Sequence, residues 1–436
     1  MRRTFLLIAA AAAALVAAVA LCGAREARPS SPHPLLTYIA RPDASYSWRK
    51  AGELDAPGQG KLLRLELASQ TWHGITWKHE LDLIRPEAVR HPDTAILFIT
   101  VDHGSPSALQ TADSLARATG MPVVALFDIP NQPLFDGKRE DALIAYTLSR
   151  FLETGDDTWP LLFPMAKSAV RAMDAAQEVA RKEWNAPLKG FVVSGASKRG
   201  WTAWLTAAAD PRVVGVAPLV YDNLNLAPQM AQQLSVYGTY SSLIGDYARR
   251  GLPQLLAVPE GRRLAEMIDP YALRHRVRVP KLIINSINDP YWTLEAANLY
   301  FGNLPGEKHI LYEPNAGHYI LDRKRVLAGI RAFAVARANG EALPKLAWAY
   351  RQGAGGLELT IRPRGAPTAV AAWTASSDTR DFRKAEWTEQ PLKKTNGAYT
   401  FTLAKPKRGY AAVFGEVVYG RGEEAYWLST TPRISP

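Results

Sequence analysis

Three textures of apolar and polar residues follow one another along the chain. Between residues 61 and 86, KLLRLELASQTWHGITWKHELDLIRP places Leu62, Leu63, Leu65 and Leu67, then Trp77, Leu81 and Leu83, on a two-residue period broken at Gly74. That alternation predicts two antiparallel strands. From residue 95 the apolar runs become continuous: AILFIT (95–100), PVVALFDI (122–129), KGFVVSG (189–195), VVGVAPLVY (213–221), PKLIINSIND (280–289) and the opening of KHILYEPNAGH (308–318). Strands buried on both faces read this way, and helical patterns at 106–119, 138–154, 164–184, 200–209 and 293–303 separate them. The predicted class is α/β, a mainly parallel sheet covered by helices, whose ligands bind beyond the carboxyl ends of its strands. A Gln- and Tyr-rich helical stretch, 225–275, is expected to form a cap over that edge. After ALPKLAWAY (342–350), short alternating segments separated by Gly, Pro, Asn and Asp predict a small antiparallel β-sandwich of immunoglobulin-like type. The organisation read from the pattern is a leader over 1–24, an α/β domain over 35–343 with the cap inside it, and a β-sandwich over 344–436.

Composition changes this picture in two places. The chain has 436 residues with 47% hydrophobic content, enough for a large domain and a smaller one. Its start, MRRTFLLIAAAAAALVAAVALCGA, places two arginines before a long apolar run and small residues near Gly23, the pattern of an export signal. A periplasmic or secreted location follows, with an uncleaved anchor as the alternative because the run is nearly long enough to span a bilayer. Leu21, rather than a small residue, precedes Cys22, which argues against lipid attachment there. Cys22 is the only cysteine, so the rest of the chain holds no disulfide and no thiolate metal site. The net charge of +11 attracts anionic envelope polymers, whereas no basic run interleaved with aromatics and no zinc-finger or RNP-like motif points to nucleic acid.

The chemistry gathers at predicted strand ends. In GFVVSGASKRGWTAWL (190–205) an apolar strand runs through Gly195 and Ser197 into a helix. A serine on such a turn becomes a nucleophile when a histidine takes its proton and a carboxylate orients that histidine, in the chain order serine, acid, histidine. Asp289, after PKLIINSIN, and His318, after ILYEPNAG, complete that order at the ends of later strands. Gly195 supplies the small residue two places before the serine. Arg199 stands where a second small residue is usual, so Gly200 must give the clearance, with Arg199 expected to point outward. The backbone N–H of Lys198, at a helix start, is the first candidate for an oxyanion hole, and Gly104 and Ser105 in FITVDHGSP are candidates for the second donor. Asn131, Gln132, Asp222 and Trp292 are candidates for binding substrate, and Asp222, another strand-end carboxylate, is the alternative acid. His103 reads as a pocket-wall residue. His73, His79, His91, His275 and His309 show no metal-ligand spacing, so neither metal nor cofactor is expected.

The segments SQTW, PNQPL, WPLLFPMAKSAVRAMDA, GASKRGWTAWL, DNLN, PKLIINSIND and LPGEKHILYEPNAGH stand here in one order. Together they resemble the PhoPQ-activated pathogenicity-related proteins, exported bacterial relatives of the α/β-hydrolases, over about residues 35–436. The resemblance implies an α/β-hydrolase fold, a role in envelope stress and virulence, and triad positions at Ser197, Asp289 and His318. ITVDHGSP replaces the family's usual Gly–Gly pair and NDPYW an Asp–Glu–Phe–Phe-like string. The expected activity is that of a serine hydrolase cleaving an ester, less readily an amide, of envelope or polysaccharide material. Esters of anionic uronates fit the basic surface and Lys198, since glucuronoyl esterases carry a similar elbow. The competing expectation is an envelope-binding or signalling protein that keeps the hydrolase fold without turnover.

Overall fold

The computed structural model describes residues 32–58, 60–101, 105–320 and 323–435; the leader, Cys22, His103 and Gly104 lie outside them. Nine strands form the main sheet: β1 (Ser47–Asp55), β2 (Lys61–Trp72), β3 (Ile75–Arg85), β4 (Thr94–Ile99), β5 (Val123–Leu126), β6 (Gly190–Ala196), β7 (Val213–Leu219), β8 (Lys281–Ser286) and β9 (Lys308–Glu313). Their order across the sheet is β1-β2-β3-β5-β4-β6-β7-β8-β9. The first three are antiparallel, joined at β3 to β5, and from β5 onward every pairing is parallel.

Burial explains the textures. Every residue of β4, β5 and β8 is buried, because helices cover both faces of the parallel half. The edge strand β1 is largely exposed and carries Arg49, Lys50 and Glu53, charges that discourage pairing with another chain. The β2–β3 hairpin turns on His73 and Gly74, both at positive φ, as a two-residue connection requires. Helices cover Pro106–Thr119, Glu140–Thr154, Leu162–Glu183, Lys198–Ala209 and Lys324–Ala338. The segment 293–303 is not the expected helix but two 3₁₀ turns, Ala296–Leu299 and Phe301–Asn303. Tyr300 at φ −141° interrupts it, with a buried ring and a hydroxyl that donates to Asp222 at 2.6 Å.

The cap consists of helices at Leu226–Tyr237 and Pro259–Ile268 with shorter turns between them. No described helix is long and apolar enough to cross a membrane. Beyond residue 345 lie two antiparallel sheets, β10 (Leu346–Gly353), β11 (Gly356–Pro363), β15 (Ala398–Leu403) and β14 (Lys394–Thr395) in one, β13 (Thr388–Pro391), β12 (Ala369–Ser377), β16 (Tyr410–Tyr419) and β17 (Tyr426–Ser429) in the other, with β18 (Arg433–Ser435) also on β16. The two sheets approach closely enough that a Cβ on Gly415 would lie 2.3 Å from Cδ1 of Ile361. Their apolar residues Leu359, Ile361 and Val413 belong to one continuous core with Ile284 and Leu311 of the main sheet and Phe333 of the helix Lys324–Ala338. This strand order, with a strand-to-helix turn after β6 and loops after β8 and β9 at the same edge, is the α/β-hydrolase fold.

Candidate active site

Backbone strain concentrates at the carboxyl edge of the sheet. Asp128 after β5, Ser197 after β6 and Val220 after β7 all have positive φ (59°, 57° and 44°), which side chains with a Cβ rarely adopt. Ser197, at φ 57° and ψ −122°, is held there from both sides. Its N–H donates to the Leu219 carbonyl at 2.8 Å, and its own carbonyl accepts from the Trp201 N–H at 3.0 Å. Such a residue costs on the order of 1–3 kcal/mol and persists only where its surroundings dictate it. The glycines supply the clearance. A Cβ on Gly195 would lie 2.8 Å from the Arg199 backbone, and one on Gly200 would lie 3.0 Å from the Leu219 carbonyl oxygen and 3.1 Å from that of Gly195.

Arg199 does not point outward. It is buried, its Nε donating to the Ile129 carbonyl at 2.6 Å and its two terminal nitrogens to Glu140 at 2.8 and 2.5 Å. A long cation beside a tight turn can be accommodated inside when a carboxylate receives it. Lys198 is likewise matched, with Nζ 3.0 Å from Asp141 and 3.3 Å from Glu140. Burial alone would raise the Glu140 carboxyl, but the Arg199 hydrogen bonds and the two cations outweigh it and hold it down at about 2. The charge of Lys198 is therefore not free to meet a substrate carboxylate.

At the other end of the site, His318 Nδ1 lies 2.8 Å from Oδ2 of Asp289, and Oδ1 of Asp289 accepts from the Tyr291 N–H at 2.9 Å. A carboxylate only accepts, so Nδ1 carries the ring proton and Nε2 presents a lone pair. Nε2 is buried and has no hydrogen-bond partner. The Tyr291 ring packs against the imidazole, tilted by 38° at a centroid distance of 4.4 Å. The two loops are fastened to the C-terminal sheets. Asn288 Nδ2 donates to the Ala385 carbonyl at 2.8 Å. Asn315 donates to the Trp387 carbonyl at 2.9 Å while its Oδ1 accepts from the Trp387 N–H at 2.8 Å.

Ser197 stands between two spaces. One is an apolar cavity of about 90 Å³ under the cap, lined by Trp201, Tyr221, Leu226, Met230, Leu264 and Trp292 among others. The other is a wider cleft that Ser197 shares with His318, Tyr319 and Ser105. Of the substrate-binding candidates, Trp292 is on the cavity wall. Asn131 and Gln132 serve the scaffold instead: the Lys78 N–H donates to Asn131 at 3.0 Å, and Gln132 grips Glu140 through its amide and its carbonyl at 2.7 and 2.8 Å. Asp222 is buried against Tyr300, behind Asp289 rather than in the cavity. Burial, with the nearby Asp289 charge, pushes its carboxyl up to about 7 against the pull of the Tyr300 hydrogen bond. Its hydrogen bond goes to Tyr300, whereas the imidazole bonds Asp289. Ser105 caps the helix Pro106–Thr119 with its side chain, and Gly104 lies outside the described residues. Among the described residues no cluster of His, Cys, Asp and Glu is placed to hold a metal ion.

Sequence reasoning missed Glu140, Asp141, Tyr291, Asn288 and Asn315. Asn288, Tyr291 and Asn315 lie within three residues of Asp289 or His318; Glu140 and Asp141 act across long separations that leave no spacing to read.

The PhoPQ-activated pathogenicity-related protein family model matches residues 35–383. Autocrine proliferation repressor protein A of Dictyostelium discoideum is 33% identical over 449 residues, spanning 92% of this chain and 90% of that protein. Among solved structures, acetyl xylan esterase from Paenibacillus sp. R4 is similar at a TM-score of 0.44 and 14% identity, over 65% of this chain and 87% of that one. Glucuronoyl esterase from Solibacter usitatus is similar at a TM-score of 0.43 and 14% identity, over 70% and 91%. Since the family model covers well over half of it, the chain belongs to the PhoPQ-activated pathogenicity-related protein family.

Proposed function

We propose that this protein is an exported serine esterase in which Ser197, His318 and Asp289 act as a triad. One observation carries the reading: a strained serine on a strand-to-helix turn shares a cleft with an imidazole that is bonded through Nδ1 to a carboxylate and unpartnered at Nε2. Ser197 Oγ attacks the ester carbonyl carbon as its proton passes to Nε2, and Asp289 stabilises the imidazolium. The C–O bond to the alcohol then breaks, and Nε2 returns the proton to the departing oxygen. Water, activated by the same imidazole, releases the acid from the acyl-enzyme. The Lys198 N–H, first in its helix, faces the developing oxyanion with the favourable end of the helix dipole. Export rests on the arginine-led apolar leader, and envelope or polysaccharide esters are the substrates such a location offers.

Ser197→Ala is expected to lower kcat/KM on p-nitrophenyl esters by about 10⁴-fold or more with the fold intact by circular dichroism. Equal turnover by mutant and wild type ends the proposal. The name of the Dictyostelium relative describes a proliferation repressor, which favours a second reading as a secreted signalling or binding protein that keeps the fold. Its mark is a biological activity that survives Ser197→Ala unchanged in a protein without turnover.

A further inference from the structure

Resting on the esterase reading, we infer that the cavity under the cap is the acyl site and that it selects short, uncharged acyl groups, the alcohol lying on the opposite side of Ser197. The imidazole decides which side is which. His318 must return its proton to the leaving oxygen, so the alcohol occupies the space that His318 borders. Ser197 borders both spaces, but His318 borders only the wider cleft. The remaining space, the cavity, receives the acyl chain.

Its lining sets the chemistry of that chain. Leu226, Met230, Leu252 and Leu264 from the cap face Trp201 and Trp292, so methylenes are favoured at about fourfold per buried group. The volume of about 90 Å³ is below that of a cavity which accepts benzene, which limits the chain to about four carbons. Among the described residues the one cation on its wall, Lys198, is already matched, with Nζ 3.0 Å from Asp141 and 3.3 Å from Glu140. A carboxylate at the end of the acyl chain would meet no free cation there. Three lining residues retain buried, unpartnered polar atoms, the Tyr221 hydroxyl, Asn223 Oδ1 and Trp292 Nε1, so a hydroxyl on the chain is tolerated where a charge is not.

The test uses the full chain and two ester series. With p-nitrophenol fixed, acyl groups from acetyl to decanoyl are expected to raise kcat/KM about fourfold per methylene up to about butanoyl and to fall at least tenfold by octanoyl. With acetate fixed, alcohols from ethyl to octyl are expected to show no such fall. Met230→Trp, which fills the cavity, is expected to lower the butanoyl-to-acetyl ratio at least tenfold, and Leu264→Ala to move the optimum to longer chains. The inference is overturned by a fall in the alcohol series instead of the acyl series, by no length limit in either, or by preference for a hemisuccinyl over a butanoyl ester. Those outcomes leave the esterase reading standing, because each requires turnover that Ser197→Ala abolishes. Absence of turnover with every ester removes both.

Discussion

The two ends of the candidate site are built by different means. At the serine end the backbone itself is under strain, and the main sheet holds it with hydrogen bonds between neighbouring strands and glycines that let the helix Lys198–Ala209 close in. At the acid and histidine end the strand-end loops are longer, and side-chain amides of Asn288 and Asn315 tie them to the loop 382–387 of the C-terminal sheets. One end is positioned by local geometry and the other by a distant part of the chain. The C-terminal sheets are thus part of the site's scaffold, consistent with the apolar core they share with β8 and β9. Positioning of this kind matters because a displacement of about 1 Å can cost on the order of 100-fold in rate.

Changes at each end separate these two modes. Gly195→Ala puts a methyl group 2.8 Å from the Arg199 backbone. It is expected to destabilise the fold by about 1–3 kcal/mol and to cut kcat by about 100-fold or more, read by denaturant melts and steady-state kinetics. Asn315→Ala is expected to lower kcat about 10- to 100-fold with little change in KM, as the loop carrying His318 loses its anchor to Trp387. Asn315→Asp, which preserves the acceptor for the Trp387 N–H but loses the donor, is expected to fall between the two. A kcat unchanged by Asn315→Ala would show that the histidine loop holds itself.

Asp222 gives the smallest effect, on stability alone. Its carboxyl titrates at about 7 in the folded protein, raised from an ordinary 3.8 by burial. The folded state therefore keeps a proton that the unfolded chain releases above pH about 4, and the resulting stability is lost as pH climbs toward and through 7. Asp222→Asn removes that dependence. Wild type should lose more Tm than the variant between pH 5 and pH 8, and parallel losses would place the Asp222 carboxyl in its ordinary range. The depressed Glu140 carboxyl acts in the opposite direction, losing its contribution only as pH falls from about 4.5 toward 2, outside that window.

The same contrast accounts for what the sequence revealed. Continuous apolar runs marked β4 to β8 because both faces of those strands are covered, and Ser197, Asp289 and His318 were legible because each sits just past such a run. The turn at His73–Gly74 was legible for a similar reason, a glycine between two alternating segments. Arg199 was misread because its partner, Glu140, lies 59 residues away and nothing near either residue announces the pairing. Asn131 and Gln132 occupy a strand end like the serine does, but their side chains are taken by Lys78 and Glu140. The helix expected over 293–303 failed at Tyr300, whose burial against Asp222 is a tertiary demand with no local periodicity. Local strain and local burial leave a trace in sequence; contacts across the molecule do not.

Reaction of the full-length protein with a fluorophosphonate, followed by tandem mass spectrometry of its peptides, tests the central claim most directly. A poised serine predicts a single adduct on Ser197, lost in His318→Ala. An unmodified Ser197 in folded protein, or an adduct that forms at the same rate without His318, would contradict it.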